Sequence, residues 1–166
     1  MLLKTFKTIS FIIGASIIIT SCSSSKKATA TASRDDIKGT WILENITYDG
    51  LPQGQKLKLT LLDEGTESCL KGSTWVLPNN GNGSYTITQN ESGCAPGERN
   101  IVWSYRLESG QTIFQYKRLT GGVKAKDIAE GYKFNIVSAT AANLSLRSTV
   151  AFEGNTININ YSFSKK

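Results

Sequence analysis

Residues 100–119 read N-I-V-W-S-Y-R-L-E-S-G-Q-T-I-F-Q-Y-K-R-L, and their alternation decides the fold. Ile101, Trp103, Tyr105 and Leu107 take every second place, with Val102, Ser104 and Arg106 between them. Successive side chains of a strand point to opposite faces, so the run offers one apolar and one polar face, as a half-buried antiparallel strand does. Ser109-Gly110 then supplies a tight turn, and the chain returns from Thr112 to Leu119. The last residues repeat the pattern, with Ile157, Ile159, Tyr161 and Phe163 set against Asn158, Asn160 and Ser162.

Outward from this hairpin the same period predicts strands over Thr40–Tyr48, Lys56–Leu62, Ser73–Leu77, Ser84–Gln89, Gly131–Ala139, Asn143–Phe152 and Thr156–Ser164, eight or nine in all. Asn80-Gly81, Asn82-Gly83 and Gly154-Asn155 supply further turns. Short connections make sequence neighbours into spatial neighbours. The expected fold is therefore all-β, an antiparallel up-and-down meander that avoids exposed edges by closing into a barrel. Val123 to Glu130 is the one helical turn expected, as a plug or flap at one end of the barrel.

The N-terminus has a different character. Lys4 and Lys7 precede an apolar run from Ile9 to Ile19, the layout of a secretory signal. That run falls short of the roughly 20 apolar residues that a spanning helix needs. Ile19-Thr20-Ser21-Cys22 follows and resembles a lipobox, the site cut by the lipoprotein signal peptidase. The resemblance implies a signal peptide over residues 1–21 and a lipid on Cys22, with a diacylglycerol on the thiol and often a third acyl chain on the amine. Each buried methylene contributes about 0.8 kcal/mol, so two or more chains hold a protein to a membrane that it does not cross. Residues 22–36 contain no aliphatic side chain larger than Ala and read as a flexible tether, with the barrel domain following over residues 37–166. Lys26 and Lys27 lie close to the lipid. The stretch after Cys22 lacks the acidic residues common in surface-exported lipoproteins, which points to an outer-membrane anchor facing the periplasm.

Composition narrows the chemistry. Removing Lys4 and Lys7 with the signal leaves 17 basic against 13 acidic residues, a charge of +4. The basic side chains are spread along the strands rather than gathered in a stripe, which disfavours nucleic acid as a partner. There is no histidine, so Ser-His and Cys-His nucleophiles are excluded and the commonest transition-metal ligand is missing. Besides Cys22 only Cys69 and Cys94 remain. In an oxidising envelope two such cysteines pair, and both fall beyond the open end of the hairpin centred on Asn79 to Gly83. Neither a metal site nor a cofactor is expected. Acidic pairs such as Asp63 with Glu64 fall in polar turn segments and read as solvated.

Gly39-Thr40-Trp41 opens the first strand, and a Gly-x-Trp there resembles the lipocalin signature. The stretch from Cys69 to Cys94 followed by Ile101-x-Trp103 is similar to the lipocalin-like lipoproteins of Bacteroidetes. The resemblance covers Ile37 to Lys166 and implies a calycin-type barrel with Trp41 packed across its floor. In lipocalins an arginine near the end of the barrel lies over that tryptophan, and Arg147 is the candidate for it here.

Three functional classes remain, the third being an enzyme. In the first, the barrel binds a small apolar ligand near Trp41, Trp75, Trp103 and Tyr105, with Tyr85, Tyr132 and Tyr161 as further polar handles. In the second, the same rings merely fill the barrel, and the protein is a structural or interaction module of the envelope. An enzyme would need carboxylates, tyrosines and arginines converging in one cleft, which the spacing does not suggest. The oligomeric state is left open.

Overall fold

The computed structural model describes residues 31–51 and 59–166. The expected signal peptide, Cys22, Lys26, Lys27 and most of the tether lie outside the described residues, as does the first part of the strand expected over Lys56–Leu62.

Eight antiparallel strands form a closed barrel in sequence order: β1 (Gly39–Asp49), β2 (Thr74–Leu77), β3 (Asn82–Ile87), β4 (Gly97–Glu108), β5 (Gln111–Arg118), β6 (Tyr132–Ala139), β7 (Asn143–Phe152) and β8 (Asn155–Lys165). The last strand pairs with the first, Ile42 opposite Ser164 and Ile46 opposite Tyr161, so no edge is left unpaired. Among the described residues helical structure is limited to one-turn helices α1 (Arg34–Ile37) and α2 (Glu67–Leu70) and a 3-10 turn at Ala125–Asp127, inside the expected helical segment. Among the described residues no helix is long and apolar enough to cross a membrane.

The alternation read from residues 100–119 holds in space. Ile101 and Trp103 on β4, Thr112, Phe114 and Tyr116 on β5, and Ile157, Ile159, Tyr161 and Phe163 on β8 are all buried. Leu107 is 61 % exposed, because its strand runs on past the rim. On β1 the inward set is Trp41 and Leu43, then Ile46. A bulge between Leu43 and Asn45 shifts the phase by one residue, which the spacing of the sequence does not announce.

Two boundaries differ from expectation. Leu59 to Leu62 form no barrel strand: Leu61 makes an isolated bridge with Gly65, and β1 pairs directly with β2, Trp41 opposite Trp75. Leu62 and Asp63 take left-handed φ values of 53° and 54°, which no strand contains. At the N-terminus the tether ends earlier than the sequence suggests. Ala32 is buried and its amide donates to Thr112 Oγ1 at 3.1 Å, while the Ser33 amide and hydroxyl both donate to Asp36 Oδ2 and cap α1. The segment docks through its backbone and Ile37, so its small side chains are no obstacle.

A meander of this order gives the barrel two distinct ends. One holds the start of β1, the hairpins β2–β3, β4–β5 and β6–β7, and the C-terminus, and α1 closes it. The other, here the mouth, holds the long connections β1–β2, β3–β4 and β5–β6.

Candidate functional site

At the closed end Trp41 lies fully buried, its indole Nε1 donating to the Ile37 carbonyl at 2.8 Å. The cation over its ring is not Arg147. Arg147 faces outward, donating to Asn160 Oδ1 at 2.7 Å and lying 3.8 Å from Asp49. The place expected for it is taken by Lys165, whose ammonium is 4.3 Å from the Trp41 ring centre and donates to the Lys38 carbonyl. The phase of β7 forces this result. Leu144 and Leu146 point inward, so Arg147 cannot.

The other expected ligand residues pack on one another. Trp75 stacks on Tyr85 with ring centres 4.5 Å apart and meets Tyr116 and Phe163 edge-on. Trp103 lies against Phe114, and the guanidinium of Arg34 sits 4.7 Å above it and 5.3 Å from Tyr105. Arg34 thus bolts α1 across the floor of the barrel by cation–π contact. The structure brings Trp41, Trp75 and Trp103 into one aromatic core, with Tyr105 half-buried at its edge.

The polar chemistry gathers at the mouth. The connection from β1 to β2 folds back so that Leu61, Glu64 and Leu70 are buried there. The Leu61 amide donates to the Gly65 carbonyl and the Glu64 amide to the Leu61 carbonyl, a tight loop that aims the Glu64 side chain down the barrel. Its carboxylate is 3 % exposed. It accepts from the Tyr85 hydroxyl at 2.6 Å, from Arg99 Nη2 at 2.8 Å and from Arg118 Nη1 at 2.7 Å. Glu64 was expected to be solvated, and the opposite is found. The reason lies on the strands, since Arg99 and Arg118 continue the inward faces of β4 and β5 to the rim. Two such cations need an anion between them. Beside them the Tyr132 hydroxyl donates to Asp63 Oδ2 and lies 3.1 Å from the Leu62 carbonyl oxygen.

Carboxylates, arginines and tyrosines therefore do converge at one place, contrary to the expectation from spacing. The donors around Glu64 favour its ionised form. Burial alone would raise the Glu64 pKa, but hydrogen bonds from Arg99, Tyr85 and Arg118 outweigh it and hold the carboxyl below its ordinary value. Burial and then Glu64 push the Tyr85 phenol up, and burial and then Asp63 do the same for Tyr132.

Tyr116 was not among the tyrosines singled out from the sequence. Its hydroxyl is buried with no hydrogen-bond partner among the described residues, its ring stacked on Tyr132 at 4.8 Å and 6.0 Å from Tyr85. Burial and the neighbouring phenols raise its pKa well above the ordinary value. The tyrosines do not satisfy one another here, and Tyr85 and Tyr132 instead reach acids of the plugging loop.

A disulfide fixes one side of that loop. Cys69 on α2 and Cys94 after β3 are bridged with Cα atoms 5.2 Å apart, the pairing expected from the hairpin's open end. A cleft of about 270 Å³ runs along the rim beside the plug, lined by Asp63, Arg118, Ile128 and Tyr132. Two larger cavities, about 580 and 310 Å³, lie on the outer face of the barrel, one beside Val76 and Val123 and one between Val102 and Lys133. None of the three is lined by a tryptophan. Among the described residues no group of three or more Cys, Asp or Glu side chains is placed to hold a metal ion.

An eight-stranded closed meander, floored by a Gly-x-Trp and a short N-terminal helix, is the architecture of a lipocalin-like barrel. The sequence matches the family described as the lipocalin-like domain over residues 37–146, and the chain belongs to that family. No curated protein and no solved structure matches it.

Proposed function

We propose that this is a lipid-anchored, non-catalytic envelope protein that binds a small apolar ligand at the mouth of its barrel. The observation that carries the reading is the make-up of the mouth. Rigid strands supply its walls, Tyr85, Arg99, Tyr116, Arg118 and Tyr132, while a single loop with two consecutive left-handed residues supplies its plug. Left-handed backbone at a residue such as Leu62 costs on the order of 1 kcal/mol or more and collects at binding and switch segments. Ile19-Thr20-Ser21-Cys22 supports the anchor, placing the lipid nine residues before Thr31. Nine residues span at most about 30 Å, so the closed end lies towards an outer membrane and the mouth away from it, into the periplasm.

A second reading draws on the filled interior around Trp75 and Trp103: the barrel is then a rigid interaction module. One titration separates the two. Trp75 is stacked on Tyr85 at the mouth, so a saturable change in tryptophan emission is expected when the full-length protein in detergent is titrated with phenylbutyrate or phenylbutanol. No saturable change with either compound leaves the interaction module standing.

A further inference from the structure

The identity of the plug suggests what it displaces. We propose that the mouth is a carboxylate site and that Glu64 is its resident pseudo-ligand: the natural ligand carries a carboxylate that takes the place of the Glu64 side chain, and an apolar body that takes the place of the leucines beside it. The inference rests on the reading of the mouth as a binding site.

Four observations carry it. First, the cradle and the carboxylate belong to different parts of the molecule. Arg99, Arg118 and Tyr85 stand on β4, β5 and β3, paired into the barrel on both sides, whereas Glu64 arrives on the loop Leu61–Gly65. Lifting the loop would leave the three donors where they are. Second, the cradle holds two guanidinium groups against one carboxylate. Arg99 meets it with two nitrogens, Nε at 3.2 Å and Nη2 at 2.8 Å, the fork geometry suited to carboxylates. Third, beneath this cluster the Tyr116 hydroxyl is buried without a partner among the described residues. A buried unmet donor costs about 1–3 kcal/mol, and it marks a place where a polar atom of something other than the plug belongs. Fourth, Arg118 is 32 % exposed and lines the 270 Å³ rim cleft, so an incoming anion reaches a cradle cation before the plug has moved.

The plug has the form of the ligand it excludes. Glu64 is flanked by Leu61, which is buried, and by Leu62, which packs against the core cluster: a carboxylate with apolar bulk on one side. A neutral apolar molecule could replace the leucines but would leave the partly buried Arg99 and Arg118 without the counter-charge that Glu64 supplies. The cradle therefore selects amphipathic carboxylates over neutral analogues of equal size.

The test uses full-length protein in detergent and two probes of matched bulk, phenylbutyrate and phenylbutanol, with affinity measured by calorimetry. Phenylbutyrate is expected to bind at least about tenfold more tightly than the alcohol. Glu64→Gln, which removes the internal competitor's charge while keeping its shape, is expected to tighten phenylbutyrate by about a further tenfold, because the neutral amide competes less well for the two guanidinium groups. Arg118→Met should abolish the preference for the acid. Equal affinity for acid and alcohol, unchanged by Glu64→Gln, overturns the carboxylate site while the mouth remains a binding site; no binding of either probe overturns both. Should Glu64→Gln fail to fold, hydrogen exchange of the wild type decides. Saturating phenylbutyrate must speed exchange at the Leu61–Gly65 amides, and exchange left unaltered overturns the displacement.

Discussion

The ammonium of Lys165 lies 4.3 Å from the centre of the Trp41 ring, and a Cβ added to Gly39 would stand 2.4 Å from that same nitrogen. The glycine of the Gly-x-Trp motif is thus a clearance. It lets the last lysine of β8 fold across the first strand, cover the indole and donate to the Lys38 carbonyl. Gly39 also holds φ at +138°, where other residues are strained. Gly39→Ala should destabilise the barrel by about 1 kcal/mol, chiefly through backbone strain at that φ, with a smaller part from moving the flexible end of Lys165 off the indole. Lys165→Met should cost about 0.5–1 kcal/mol, the value of an exposed cation–π contact. Urea unfolding followed by tryptophan emission measures both, and a Gly39→Ala midpoint equal to wild type would contradict the clearance argument.

The orphan hydroxyl of Tyr116 sits in an otherwise apolar stack of rings. Tyr116→Phe should leave the ligand-free protein unchanged or stabilise it by on the order of 1 kcal/mol, because an unmet buried donor is removed while the ring stays. A loss of more than about 1 kcal/mol would mean that the hydroxyl has a partner after all.

Glu64 sets the acid limit of the plug. Its folded pKa lies below its ordinary value, so its contribution is fully present above the unfolded value of about 4.3 and disappears as pH falls through the folded one. The groups facing it are Arg99, Arg118 and Tyr85. Unfolding free energy should fall below about pH 4 in the wild type, and the fall should be smaller in Glu64→Gln. Identical acid limbs for the two proteins would show that Glu64 is not the group responsible.

The Cys69–Cys94 bridge closes a loop across 25 positions of sequence. Reduction should cost about 3 kcal/mol on the chain-entropy account. It should also speed hydrogen exchange in the Leu61–Gly65 loop, since Gly65 abuts Cys69 so closely that a Cβ would lie 2.8 Å from Sγ. Thiol labelling of the unfolded, unreduced protein should find neither cysteine reactive.

Replacement of Cys22 by alanine should leave the chain unlipidated, and either soluble or with its signal uncut, because the proposed anchor is the lipid on that thiol. Membrane fractionation after a high-salt wash gives the answer. A processed Cys22→Ala protein that still sediments with membranes would refute the anchor.

The sequence by itself determined the barrel. Period-two runs such as Ile101 to Leu107 and Ile157 to Phe163, joined by turn glycines, specify strands, faces and neighbours, because each rests on interactions within a few residues or between adjacent strands. The cysteine pairing was legible for the same reason, as it depends on one hairpin. Tertiary structure alone decided the site. That Lys165 rather than Arg147 covers Trp41 depends on which way β7 faces and on the last turn of the chain reaching the first strand. That Glu64 is buried depends on Arg99 and Arg118, 35 and 54 residues further on, ending inward faces at the same rim. The alternation that put Ile101 and Tyr116 inside carries both arginines inside as well, a signal present in the sequence. Which acid answers them is set by the path of a loop with no period of its own, and that path exists only once the barrel has closed around it.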